Sequence, residues 1–128
     1  MRKKILFAGI IIVLLISTVY FVWQAYDLSA DYNYATAKID IKNGEVKIIN
    51  IGKPRISSKD KEIEQIAARY GFKNVYIEKF TAQQTEKGIN DYNSLIDTYL
   101  KLRNGSNWKA DYKKEIDSLY KLDHKNDN

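Results

Sequence analysis

The stretch "KIDIKNGEVKIINIG", residues 38–52, alternates apolar and charged side chains on either side of an Asn-Gly pair. Asn43-Gly44 suits a type I′ turn, because both central positions of that turn need positive φ. On this register Ile41 faces Val46, Asp40 faces Lys47, Ile39 faces Ile48 and Lys42 faces Glu45. One face then collects Ile39, Ile41, Val46 and Ile48, while the other carries opposite-charge pairs. The pattern predicts an antiparallel hairpin opening the folded domain.

Upstream, "ILFAGIIIVLLISTVYFVW", residues 5–23, contains no charge. Nineteen residues at 1.5 Å each span about 28 Å, close to the roughly 30 Å hydrocarbon core of a bilayer. Arg2, Lys3 and Lys4 precede the run, and Tyr20, Phe21, Trp23 and Tyr26 stand where an interfacial aromatic belt belongs. The positive-inside rule puts residues 1–4 in the cytoplasm and the C-terminal domain outside it. A cleaved signal peptide is the rival reading, but its apolar core normally covers 7–15 residues. The small-x-small site Ala35-Thr36-Ala37 lies far downstream, and cleavage after Ala25 would place Trp23 at −3. We therefore expect a single-pass signal anchor in the bilayer through 5–23, with 24–33 as a polar tether. Ten extended residues reach at most about 35 Å, so a partner must lie near the membrane.

Composition narrows the rest. The 128 residues allow one modest domain after the apolar run is set aside. The formal charge is +5, but beyond Gln24 there are 18 basic side chains against 16 acidic ones, interspersed along the chain. Nucleic-acid binding needs a concentrated basic face, and none is present. The absence of cysteine excludes disulfides, thiolate metal sites and a cysteine nucleophile.

After the hairpin, "SSKDKEIEQIAARYGF" reads as a helix capped at Ser57 or Ser58 and stopped at Gly71. Residues 74–80, "NVYIEKF", alternate as a third strand, and 81–89 form a polar loop. A second helix covers about 91–104, and a third, capped by Ser106 or Asn107, carries Trp108, Tyr112, Ile116, Leu119 and Tyr120. Residues 123–128 read as a flexible tail. The expected fold is α+β: a transmembrane helix, then β-β-α-β-α-α over 34–122, with helices packed on a mainly antiparallel sheet.

"RYGF" and "GINDYNSLIDTYLKLRNGSNW" together resemble a group of small, single-pass, membrane-anchored bacterial proteins that carry no assigned activity. The likeness covers roughly residues 38–112. It implies a bacterial membrane protein and brings no assigned activity, substrate or catalytic residue; joined to the charge asymmetry around 5–23, it makes the expected location the inner membrane, with a periplasmic domain.

Catalytic constellations are lacking. His124 is the only histidine and lies in the tail, whereas a general base must be held within hydrogen-bond reach of its partner. A histidine-based metal site fails on number alone. The carboxylate pairs Glu62/Glu64 and Asp111/Glu115 sit among lysines and read as solvated faces. No glycine-rich phosphate cradle occurs. The most distinctive stretch is "RNGSNW", residues 103–108. Arg103, Asn104, Asn107 and Trp108 form a candidate partner-binding corner. The same residues also read as a helix stop, a new cap and a tryptophan fixing the helix–helix angle, which the capping logic favours. The tyrosine rows 92/99 and 112/120 read as core edge.

These features point to a non-catalytic, membrane-anchored interaction domain without cofactor or metal, an accessory subunit of a bacterial envelope complex. An immunity-type or inhibitor protein at the membrane is the alternative, and a carboxylate-dependent cell-wall enzyme is a second.

Overall fold

The computed structural model describes residues 1–126. Among them the elements run α1 (Arg2–Ala25), α2 (Tyr34–Asn43), β1 (Lys47–Ile51), α3 (Asp60–Tyr70), β2 (Lys73–Ile77), α4 (Glu86–Asn104) and α5 (Trp108–Asn126). The fold is mostly helical, and its one sheet is a parallel pair. The expected β-β-α-β-α-α order and antiparallel sheet are therefore incorrect.

The error lies in the first strand of the expected hairpin, since residues 38–43 are the second half of α2. Asn33 starts that helix: its Oδ1 accepts from the N–H groups of Ala35 and Thr36 at 2.8 and 3.0 Å. Thr36 Oγ1 in turn accepts from the Asn33 N–H at 2.9 Å, which completes a capping box. Ala37, fully buried, sits where α2 closes on the core. Gly44 at φ 73° terminates the helix, its N–H donating to the carbonyls of Asp40 and Ile41. The Asn-Gly pair supplies a left-handed residue as expected, but for a helix stop rather than a hairpin turn.

β1 finds its partner across a right-sized crossover instead. Lys47 to Ile51 pair with Lys73 to Ile77, and α3 bridges the two strands, as a parallel pair requires. Bonds from Lys73 N–H to Val46 O (3.0 Å) and from Gly52 N–H to Ile77 O (2.8 Å) close the ladder at its two ends. The third expected strand, 74–80, is β2, shortened to end at Ile77. α3 starts at Asp60, whose carboxylate accepts from the Ser57 N–H at 3.1 Å, with Lys59 rather than a serine at the cap. It stops at Gly71, φ 93°.

α4 is the central element and begins earlier than expected, because Thr85 caps it by accepting from the Gly88 N–H at 3.0 Å. Ile89, Tyr92, Ile96 and Leu100 recur at helical spacing and are buried, meeting Val46, Ile49, Ile77, Ala67, Phe72 and Trp108. The outer edge of β1 is closed by Asn93. α5 extends through Asn126, past the expected start of the tail at 123, and residues 127–128 lie outside the described part.

The polarity of these elements sets the geometry of the domain. Gly44, Val46, Gly71, Phe72, Lys73 and Arg103 line one groove, so the starts of both strands meet the C-terminal end of α4. The ends of both strands therefore point toward the N-terminal end of α4.

Candidate functional site

α1 is the one described helix long and apolar enough to cross a membrane, and none of its residues is buried in the fold. Its side-chain hydroxyls are satisfied internally: Ser17 and Thr18 each donate to the carbonyl four residues back at 2.8 Å. Such back-bonding hides a polar group from lipid.

The segment that follows is bound to the domain at several points. The chain turns at Asp27, a non-glycine residue at φ 49°. The Asp27 carboxylate accepts from the hydroxyl of Thr85, the residue that caps α4. Lys87 Nζ donates to Ala25 O at 2.6 Å and pairs with Asp91 at 2.7 Å. The Asp31 N–H donates to Gln83 O at 2.7 Å. Ala30 and Asn33 are buried, with Asn33 Nδ2 donating to Ala30 O at 2.7 Å. The Tyr32 ring meets Tyr92 edge-to-face at 5.4 Å, and Tyr26 approaches Tyr34 at 6.1 Å. Gly88 makes this close approach possible: a Cβ there would stand 2.3 Å from Tyr32 O. Sequence reasoning missed this junction. The signal available was Thr85 three residues before a glycine, a cap followed by a position open to a crossing chain.

At the opposite end of α4 lies the corner singled out from the sequence. Trp108 is 1% exposed and packs against Tyr70, Phe72 and Tyr112, with ring centroids 6.3, 5.8 and 6.4 Å away. Its Nε1 has no hydrogen-bond partner among the described residues. Asn104 Nδ2 donates to Tyr70 O at 2.8 Å, satisfying a carbonyl that the end of α3 leaves open. Arg103 is exposed and lays its guanidinium over Gly71, where a Cβ would meet Nε at 2.6 Å. Asn107 is exposed, and its carbonyl accepts the first backbone bonds of α5 from Ala110 and Asp111. The four residues thus share one corner, but only Arg103, Asn104 and Asn107 present themselves to solvent.

The titratable groups with shifted values belong to structural contacts. Glu115 accepts from Tyr70 Oη at 2.9 Å and pairs with Arg69, and these two contacts hold its carboxyl below the usual range. This partnership joins α5 to α3 and replaces the Asp111/Glu115 pairing considered from the sequence. Tyr92 donates to Asp40 at 2.6 Å, and Lys47 reaches the same oxygen at 3.2 Å. Burial, then Asp40, pushes the Tyr92 phenol well above the ordinary tyrosine range. Among the described residues no group of histidine or carboxylate side chains is placed to hold a metal ion. The His124 side chain lies outside the described residues.

No protein-family model matches the chain, and neither a curated protein nor a solved structure matches it.

Proposed function

We propose that the chain is a membrane-anchored, non-catalytic interaction protein: α1 crosses a bacterial plasma membrane with residues 1–4 in the cytoplasm, and the domain beyond it engages a neighbouring envelope protein as an accessory subunit. The observation that carries this reading is the junction between α1 and α4. A helix with no buried residue leaves the domain, yet its last residue is held to the first turn of α4 by Lys87–Ala25, and the turn just after it is held to the α4 cap by Asp27–Thr85. Cleavage after Ala25 would remove the Lys87–Ala25 contact and leave Asp27–Thr85 in place, whereas a retained anchor passes its position to the domain through both. α4 is 19 residues long, about 28 Å, so the corner of Arg103, Asn104 and Asn107 is held about that far from the junction. The resemblance noted for residues 38–112 agrees with a bacterial membrane protein.

Two measurements test the proposal. A C-terminal reporter active only after export should be active, and the mature protein should begin near Met1. A mature N-terminus at Tyr26 or beyond would replace the anchor with a signal sequence. Affinity purification of the full chain in mild detergent should then bring down a membrane protein whose capture is lost with Arg103→Glu. Arg103 is exposed but lies over Gly71 in the last turn of α4, so the melting temperature of the variant is measured beside capture, and loss of capture with the fold retained supports the interface.

A further inference from the structure

The end of the domain nearest α1 carries exposed apolar side chains that the fold does not use. Ile51, at the end of β1, is 52% exposed, Ile56 in the next loop is 87% exposed, and Phe80 after β2 is 45% exposed. Chain connectivity puts Ile51 and Phe80 at the anchor end and ties Ile56 to it through the short loop after Gly52. Phe80 lies three residues before Gln83, whose carbonyl accepts from Asp31, six residues past the end of α1. Gly52 pairs with Ile77, three residues before Phe80, and Ile56 follows four residues later. Around these apolar groups the charge is net positive: from Ile51 to Lys59 the chain holds Lys53, Arg55 and Lys59 and no acid, and Lys79 adjoins Phe80, with the exposed Glu78 as the one acid in the two loops. Arg55 stacks on Tyr120 at 4.2 Å, and Lys59 approaches Glu62 at 3.9 Å, which leaves Lys53 and Lys79 as the outward cations.

Apolar tips flanked by lysines are what an anionic bilayer surface accepts: the apolar group enters the headgroup boundary and the cation remains at lipid phosphate. We propose that the loops at 51–56 and 78–80 make a second contact with the membrane that α1 crosses, with Ile56 and Phe80 in the interface and Lys53 and Lys79 against anionic headgroups. This rests on α1 being a membrane anchor. It adds that the domain is seated on the bilayer rather than held above it, so the 103–107 corner faces away from the lipid.

The chain has no cysteine, so single labels report cleanly. Full-length Ile56→Cys, Phe80→Cys, Asn107→Cys and Leu14→Cys variants would each carry an environment-sensitive fluorophore in vesicles of phosphatidylcholine, alone or mixed with phosphatidylglycerol. With anionic lipid, labels at 56 and 80 should be quenched by nitroxide lipid and shielded from acrylamide, while the label at 107 stays open to acrylamide. Lys53→Gln and Lys79→Gln should each lower the ratio of embedded to exposed label about fivefold. Labels at 56 and 80 as accessible as that at 107, with Leu14 shielded, would overturn the seating and leave the anchor. Shielding that ignores both lipid charge and the two lysine changes would overturn the headgroup contact. An accessible label at Leu14 would overturn the anchor and this inference together.

Discussion

The side-chain amide of Asn93 pairs with the backbone of Ile49 as a neighbouring strand would: Oδ1 accepts from the Ile49 N–H at 2.9 Å, and Nδ2 donates to the Ile49 carbonyl at 2.7 Å. Ile49 is buried, so neither group has water as a substitute. One residue of α4 thereby closes the edge that a two-stranded sheet leaves open on β1, and docks the helix on the strand.

Asn93→Ala should cost about 2–3 kcal/mol, because two backbone groups lose their partners in a buried setting. Asn93→Asp keeps the acceptor for the N–H and loses the donor for the carbonyl, so its cost should approach that of alanine. Thermal unfolding of the full chain in mild detergent checks both. An Asn93→Ala protein as stable as the parent would show that the sheet edge does not depend on this contact.

Gly88→Ala, in the first turn of α4, reverses the usual preference of a helix for alanine over glycine. Alanine normally stabilises a helix by about 1 kcal/mol relative to glycine. Here the added Cβ meets Tyr32 O at 2.3 Å and Thr85 Oγ1 at 2.9 Å, and the first of these is backbone. The substitution should destabilise the domain and release residues 26–33, making Tyr26 and Tyr32 sites of rapid chymotryptic cleavage. Gly9→Ala, with no atom within 4 Å of the new Cβ, should change neither stability nor cleavage.

How much of this was legible in the sequence depended on whether a pattern pointed to one partner or two. The apolar run at 5–23 admits one helix, and α1 is there. Gly71 and Gly105 stop α3 and α4 as read from spacing alone. Residues 38–43 failed because Asn-Gly serves a helix stop as well as a hairpin, and Asp40 and Lys47 attract each other in both. They do form an ion pair at 3.2 Å, but across a helix-to-strand corner. The deciding signals were Asn33 with Thr36 as a capping box and a small Ala37 for close packing, and both lie before the stretch that was read as a strand. "KIINI" also carries apolar residues on both faces, which suits a parallel strand covered on each side. Its partner stands beyond α3, where no local pattern names it. At the 103–108 corner the stop after Asn104 and the restart at Trp108 were legible. The Asn104 bond to Tyr70 was not, because it joins residues 34 apart.

Where the domain begins is a separate question with a sharp test. Asn33 caps α2, Ala30 is buried and Tyr32 packs on Tyr92. Residues 34–128 alone lack all three, whereas residues 27–128 keep them. The longer piece should melt higher by several degrees, since loss of an Asn cap alone costs about 1 kcal/mol and that shifts a domain of this size by about 4–8 °C. Equal melting temperatures would mean that 27–33 only borders the fold.

Two contacts predict opposite pH dependences. The folded-state pKa of Glu115 is lowered by Tyr70 and Arg69, so its contribution is present above the ordinary glutamate pKa and fades as pH falls through the lowered value. The folded-state pKa of Tyr92 is raised by burial and by Asp40, so its contribution is full below the ordinary tyrosine pKa and is lost as pH climbs above it. Glu115→Gln should lower the melting temperature slightly at neutral pH and not in strong acid, as befits a pair that is largely exposed. Tyr92→Phe should flatten the alkaline side of the stability profile. A Glu115→Gln difference unchanged into strong acid would remove the ion pair from the account.

Trp108 separates a packing role from a binding role. Its indole is buried among Tyr70, Phe72 and Tyr112, so Trp108→Ala should cost about 3–5 kcal/mol, as emptying a large aromatic site does. Its Nε1 lacks a partner among the described residues, so Trp108→Phe gives up volume but no hydrogen bond and should cost clearly less than alanine. Arg103→Ala, at an exposed position, should stay within about 0.5 kcal/mol. Melting curves of the three variants check the order Ala, then Phe, then the parent-like Arg103 change. If Trp108→Ala melted like the parent while capture of a partner was lost, the indole would belong to the interface, because tryptophan is favoured there as a binding anchor. Nearly complete burial in the unpartnered chain predicts the first result.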